Sequence, residues 1–238
     1  MKPIGTIINN NESDISLSKA ALIAGISLFV MILTTPFAEF SIFPKLIDYS
    51  NATKTAENII NNKHLFSVAI FLILLTLIAD VVAAWALYIF LKPVNKSLSL
   101  LTAWFRLIYT AMYFIALYNL LNILSIAKSI EHLKHTGIGQ INDDIFLNIK
   151  TFRVEGSFGL IIFGLYLILL GYLVYKASYI PKIFGAILIL AGLSWVIDNL
   201  STFLFPEIDT SFLFIFTMGE LIFMLWLLIK GSRIKKLE

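Results

Sequence analysis

Cysteine is absent from the 238 residues, which excludes disulfides, thiolate-bound metals and cysteine nucleophiles and leaves the redox compartment open. Histidine is scarce. His64, His132 and His135 all fall in polar connections between apolar runs, so a haem or catalytic metal held by histidines inside those runs is excluded. Charge is scarce too: 14% of residues are Asp, Glu, Lys or Arg, against about 25% in an ordinary soluble chain. The formal net charge is +3, and no basic block interleaved with exposed aromatics is present to track phosphates, which excludes nucleic acid as a partner.

What the sequence has in excess is hydrocarbon. Apolar residues make up 59% of it, Phe alone contributes 20, and the mean hydropathy is +0.89. A globule of this size cannot hide so much apolar surface, so lipid has to be the solvent for much of it; the same composition excludes disorder. Six runs, at 19–40, 65–91, 98–123, 156–175, 183–205 and 211–229, approach or exceed the roughly 20 apolar residues that a helix needs to cross a bilayer. The expected fold is all-α: a polytopic membrane protein with six transmembrane helices in one bundle. Residues 1–18 read as a polar leader, 19–230 as the membrane domain and 231–238 as a basic tail. The leader is Asn-rich rather than short and basic, and the first run ends in Thr35-Pro36-Phe37-Ala38, a poor cleavage site; that run therefore reads as a span and not as a signal peptide.

Orientation follows from Lys and Arg in the connections. The side bearing both termini carries ten such cations, among them Lys92, Lys96, Lys176, Lys182 and Lys230, against the acids Glu12, Asp14 and Glu238. The opposite side carries seven against eight acids. Both termini are expected in the cytoplasm, with the protein in the cell's inner (plasma) membrane. Short turns containing Pro93 and Pro181 make helices two and three, and four and five, antiparallel neighbours. The two long external connections each contain a segment, 52–60 and 126–133, able to form a short amphipathic helix at the interface, as a lid or as a lipid-facing cover.

Ionisable residues inside a span are costly, so each is expected to face the bundle interior and to have a partner or a task. At about 1.5 Å per residue from the terminal-side helix ends, Arg106 lies about 12 Å deep, Glu220 about 14 Å and Asp80 about 16 Å. The guanidinium is therefore in reach of both carboxylates, and its fork can hold two at once. Tyr109 and Tyr113 follow Arg106 on one face of helix three. A second polar group lies farther out: Glu39 ends the first run, Arg153 and Glu155 stand at the start of the fourth, and Trp195, Asp198 and Asn199 form a stripe on the fifth. Glu155, just ahead of Gly156, is placed to complement a helix N-terminus. The glycines of the fourth and fifth runs let helices approach closely.

Three stretches carry a family resemblance: Leu91-Lys-Pro-Val-Asn-Lys-Ser-Leu-Ser-Leu-Leu-Thr-Ala-Trp-Phe-Arg-Leu107, then Gly171-Tyr-Leu-Val-Tyr-Lys-Ala-Ser-Tyr-Ile-Pro-Lys-Ile-Phe-Gly185 with Asp198 beyond it, and Gly219-Glu220 followed by Leu225-Trp-Leu-Leu-Ile-Lys-Gly231. Over roughly 20–231 the chain resembles a bacterial integral-membrane family known as domain of unknown function 4386. The resemblance implies a polytopic inner-membrane protein and assigns no catalytic or binding residue.

The functional expectation rests on the buried polar centre Asp80, Arg106, Tyr109, Tyr113 and Glu220. Two acids outnumber one Arg, leaving a negative charge for a proton or a cationic ligand to neutralise. Binding or transport of a small solute or lipid, with a proton available for coupling, is the leading reading. A buried ion pair that only fixes helix register, in a structural or accessory membrane protein, is the alternative; an intramembrane enzyme is the second. No channel filter, cofactor motif or metal cluster is evident on the spans, although Glu131-His132 and His135 offer two or three ligands on a loop. Partners are expected to be membrane lipids and a small molecule or proton, and the oligomeric state is left open.

Overall fold

The structure, a computed structural model, describes residues 15–129, 137–205 and 207–234. The expectations for the leader up to residue 14, for Glu131, His132 and His135, and for the tail beyond 234 concern residues outside the described ones. Among the described residues every regular element is helical, and six helical stretches are long and apolar enough to cross a membrane: Leu17–Leu46, Lys63–Leu91, Lys96–Ser129, Ile138–Lys176, Lys182–Leu204 and Ser211–Arg233. The protein is an all-α, multi-pass membrane protein.

The first span is not one continuous α-helix. Helix α1 (Leu17–Pro36) starts at Ser16, whose hydroxyl accepts from the Lys19 amide, and ends at Pro36, which has no N–H to return to the preceding turn. There the chain widens into a π-helical turn, Phe37–Ile42, before a last α turn, α2 (Phe43–Leu46). Asn51 caps α3 (Ala52–Asn61), whose Thr55, Ala56 and Ile59 form one buried face. Helix α4 (Lys63–Leu91) and α5 (Lys96–Ser129) form a hairpin closed by Asn95, which accepts from the Leu98 amide, and by Ser99, which donates to the Tyr88 carbonyl.

The connection expected between the third and fourth spans is largely helix. Helix α6 runs Ile138–Lys176, so Arg153 and Glu155 stand in its interior and not at its start, and the N-terminal role read for Glu155 is corrected. The reason is periodic: Ile141, Ile145, Ile149 and Phe152 line one buried face with no proline to interrupt it. At 39 residues α6 is about 58 Å long, close to twice a hydrocarbon core. Its first half, the later turns of α5, the first turns of α4, α3 and the end of the first span build a second core on the side away from the termini, with Phe43 edge-on to Phe152 at 6.2 Å. Residues 126–129 of the expected interfacial helix belong to the last turn of α5.

Helix α7 (Lys182–Leu204) returns after Pro181, and Tyr179 in the turn donates to the Phe90 carbonyl at 2.5 Å; burial pushes its phenol above its ordinary range. Helices α6 and α7 touch through glycine. A Cβ at Gly164 would meet the Gly192 carbonyl oxygen at 2.7 Å, and one at Gly171 the Gly185 carbonyl oxygen at 2.7 Å. The last span opens with a 3-10 segment, Ser211–Met218, and continues as α8 (Gly219–Ile229).

Neighbours in contact run α1, α4, α5, α6, α7, α8 and back to α1, a closed ring at the level of α8. Leu28, Ala83, Phe90, Leu167, Phe223 and Leu227 fill that level. Toward the far side, away from the termini, the 3-10 segment packs on α7 and makes no comparable contact with α1. The ring is parted there.

Candidate functional site

Arg106 lies at the middle of the ring with no surface exposed. Its Nε donates to Asp80 Oδ1 at 2.6 Å, and one terminal nitrogen, Nη2, reaches the same oxygen at 2.6 Å. The other, Nη1, donates to Glu220 Oε1 at 2.7 Å and to the Tyr166 hydroxyl. Nη2 also meets the Met31 sulfur at 3.5 Å. A guanidinium has five N–H groups; four of them donate in these contacts, and Nη2 also lies at ion-pair distance from Asp80.

Each partner comes from a different helix at one depth. Asp80 on α4 is fully buried and takes a second bond from Thr110, at 3.0 Å on Oδ2, so both of its oxygens are satisfied. Thr110 stands one turn beyond Arg106 on α5, and its single hydroxyl proton is shared between Asp80 Oδ2 and the Arg106 carbonyl. Tyr166 on α6 accepts from Arg106, donates to Glu220 Oε1 at 3.2 Å, and sets its ring 4.7 Å from the guanidinium carbon. Glu220 occupies the first turn of α8, where the helix dipole favours a carboxylate. Its Oε1 serves Arg106 and Tyr166. Its Oε2 has no hydrogen bond among the described residues, and the side chain is 14% exposed.

That exposed surface faces a cavity of about 450 Å³. Glu220, Tyr109 and Thr217 lie at its deep end; Leu28, Ile32, Leu77, Leu160, Phe163 and Leu221 supply much of its wall. The distance from Met31 on α1 to Glu39 in the π-helical turn makes it about 12 Å deep. At the far rim Arg153 from α6 pairs with Glu39 from the π-helical turn at 3.2 Å and donates to the Tyr49 hydroxyl at 2.8 Å. Two carboxylates thus bracket an apolar chamber, one paired at its mouth and one with a free oxygen at its floor.

Tyr109 and Tyr113 do not bond to the Arg106 centre; the phenol that does is Tyr166. Their rings, 5.8 Å apart, line the cavity, and neither hydroxyl has a hydrogen bond among the described residues, although Tyr109 is 91% buried. Phe163 ties this aromatic wall together, 4.8 Å from Tyr109 and 6.1 Å from Trp195. Of the second polar group, Glu39 and Trp195 reach the cavity. Asp198 is turned to Thr210 at 2.7 Å, Asn199 donates to the Trp195 carbonyl within its own helix, and Glu155 accepts from Asn119 at 2.7 Å. None of these three lines the cavity. Asp80, sealed behind Arg106, does not line it either.

Among the described residues no group of three or more His, Asp or Glu side chains is placed to hold a metal ion. Tyr166, Thr110 and Met31 were not singled out as site residues from the sequence. For Tyr166 the signal was present: counted inward from Tyr175, it lies about 14 Å deep, level with Arg106 and Glu220.

Residues 23–231 match the family described as Domain of unknown function (DUF4386). An uncharacterized protein of Archaeoglobus fulgidus is 33% identical over 164 residues, which take in 69% of this chain and 84% of that relative. No solved structure matches the chain. The family match runs across all the spans and encloses Asp80, Arg106, Tyr166 and Glu220, and the chain accordingly belongs to the family called domain of unknown function 4386.

Proposed function

We propose that the protein binds a small solute or lipid in the chamber above Glu220 and moves it within or across the plasma membrane, with both termini cytoplasmic and the chamber opening in the outer half of the bilayer. The observation that carries this reading is the cavity itself. A register lock closed over Arg106 needs no chamber, yet about 450 Å³ is left beside a carboxylate oxygen and two phenol hydroxyls without partners. These atoms open on the chamber, where a ligand or water can supply the partners that the protein does not.

A proton is the natural coupled ion. Asp80 and Glu220 together exceed Arg106 by one negative charge, and Glu220 is the acid of the two that the cavity reaches. Arg106 and Tyr109 from α5, Tyr166 from α6 and Asp80 from α4 are the titratable groups facing it; α1 and α7 bring Met31 and Trp195. A proton and a ligand therefore compete for one oxygen.

A structural or accessory role draws support from the sealed Asp80–Arg106 pair, which holds α4 to α5 without any ligand. It leaves the chamber unexplained. The chain has no cysteine of its own, so single cysteines test the reading directly. N-ethylmaleimide is expected to modify Leu160→Cys, on the cavity wall, much faster than Leu170→Cys, which lies in the core of the same helix. Equal protection of the two would remove the chamber and with it the proposal.

A further inference from the structure

We infer that the occupant of the chamber is a monocationic amphiphile, an alkyl chain bearing an ammonium group, which enters sideways from the bilayer and sets its head on Glu220 Oε2. The inference deepens the binding role proposed above and rests on it.

The head group follows from what is spent and what is free. Arg106 is fully buried, commits its N–H groups to Asp80, Tyr166, Glu220 and Met31, and does not line the cavity, so an anionic head would have no cation to meet at the floor. A carboxylate oxygen with no partner is the group the floor does present. With both acids ionised, Asp80, Arg106 and Glu220 sum to one negative charge, which a single positive head cancels. Beside it stands the unbonded Tyr109 hydroxyl, able to accept from an ammonium, and the rings of Phe163 and Trp195, whose π systems favour a cation, line the same cavity; Tyr113 stands a turn nearer the mouth.

The tail follows from the walls and the opening. Above the floor the lining is leucine, isoleucine and phenylalanine. The aqueous mouth is crossed by the Glu39–Arg153 pair, so a polar solute arriving from water has to break that pair. The parting between the far half of the first span and the 3-10 segment presents lipid with Phe40, Phe214 and Met218, all exposed and all lining the cavity. An alkyl chain can lie through that parting with its head at Glu220.

The test uses tritiated decylamine bound to the full chain in phosphatidylcholine nanodiscs, corrected with empty nanodiscs, with unlabelled decylamine, decanol and decanoate as competitors. Decylamine is expected to compete about tenfold better than decanol, as a charge-assisted hydrogen bond in a desolvated site gives, and decanoate to compete worst. In Glu220→Gln, where Arg106 keeps Asp80, the difference between amine and alcohol is expected to disappear while decanol binding persists. Decanoate competing as well as decylamine, an unchanged amine preference in Glu220→Gln, or no saturable decylamine binding would each overturn the inference. Rapid modification of Leu160→Cys in the same preparation separates these failures from the loss of the chamber itself, and Leu160→Trp, which fills the wall and leaves the centre intact, is expected to abolish binding of every probe.

Discussion

Replacing Arg106 with Met isolates the energetics of the centre. The variant keeps an extended, apolar side chain of similar reach but leaves Asp80 with no exposed surface and with Thr110 as its remaining partner, while Glu220 keeps Tyr166 and its access to the cavity. An uncompensated buried charge of this kind costs about 3–5 kcal/mol. Adding Asp80→Leu removes the stranded acid, and the surviving carboxylate can hydrate from the chamber, so the double variant is expected to recover most of that loss. Reversible unfolding in mixed dodecyl sulfate and maltoside micelles, followed by circular dichroism, measures both. A single variant within about 1 kcal/mol of the parent, or a double variant no better than the single, would refute the claim that the pair matters through charge compensation rather than packing.

Glu220→Gln retains the Asp80–Arg106 pair and is expected to cost about 1 kcal/mol in the same assay, far less than Arg106→Met; an equal cost would mean that Glu220 is as structural as Asp80. Gly164→Ala would bring a Cβ to 2.7 Å from the Gly192 carbonyl oxygen and is expected to cost about 1–3 kcal/mol by forcing α6 from α7. Gly159→Ala on the same helix meets nothing nearer than 3.5 Å and is expected to stay within about 0.5 kcal/mol of the parent. Asp48, held low by the Ser50 hydroxyl and then by Lys54, moves from 3.8 to about 2, so what it adds to the loop before α3 is complete above about pH 4 and is lost as pH falls toward 2. An NMR titration of its carboxyl carbon with a midpoint near 4 would contradict that arrangement.

The spans and the level of the charged centre were legible because the bilayer acts as a ruler: an Arg and two acids sunk to one depth on different helices have few places to go. Tyr166 lies at that same depth, but tyrosine is tolerated anywhere along a helix end, so residue type alone did not single it out beside Tyr172 and Tyr175, and only its depth sets it apart. The chamber was not legible. It depends on how far apart α1 and the last span stand, and no residue type encodes that distance. The length of α6 was readable in principle from Ile141, Ile145, Ile149 and Phe152, yet polar neighbours such as Asn142, Asp143 and Asp144 made the stretch look like a loop. Pro36 marked a break, but whether a proline ends a helix, kinks it or widens it is decided by what packs around it.

A π-helical turn stores one surplus residue, and Glu39 rides on it. Passing that surplus along the rod by one position turns each side chain it crosses by about 100°, since a regular helix advances one residue for that rotation. Such a slip would carry the Glu39 carboxylate off Arg153 without unwinding the flanking turns or moving the helix ends. The bolt across the entrance is thus mounted on a part of the rod that can rotate by itself.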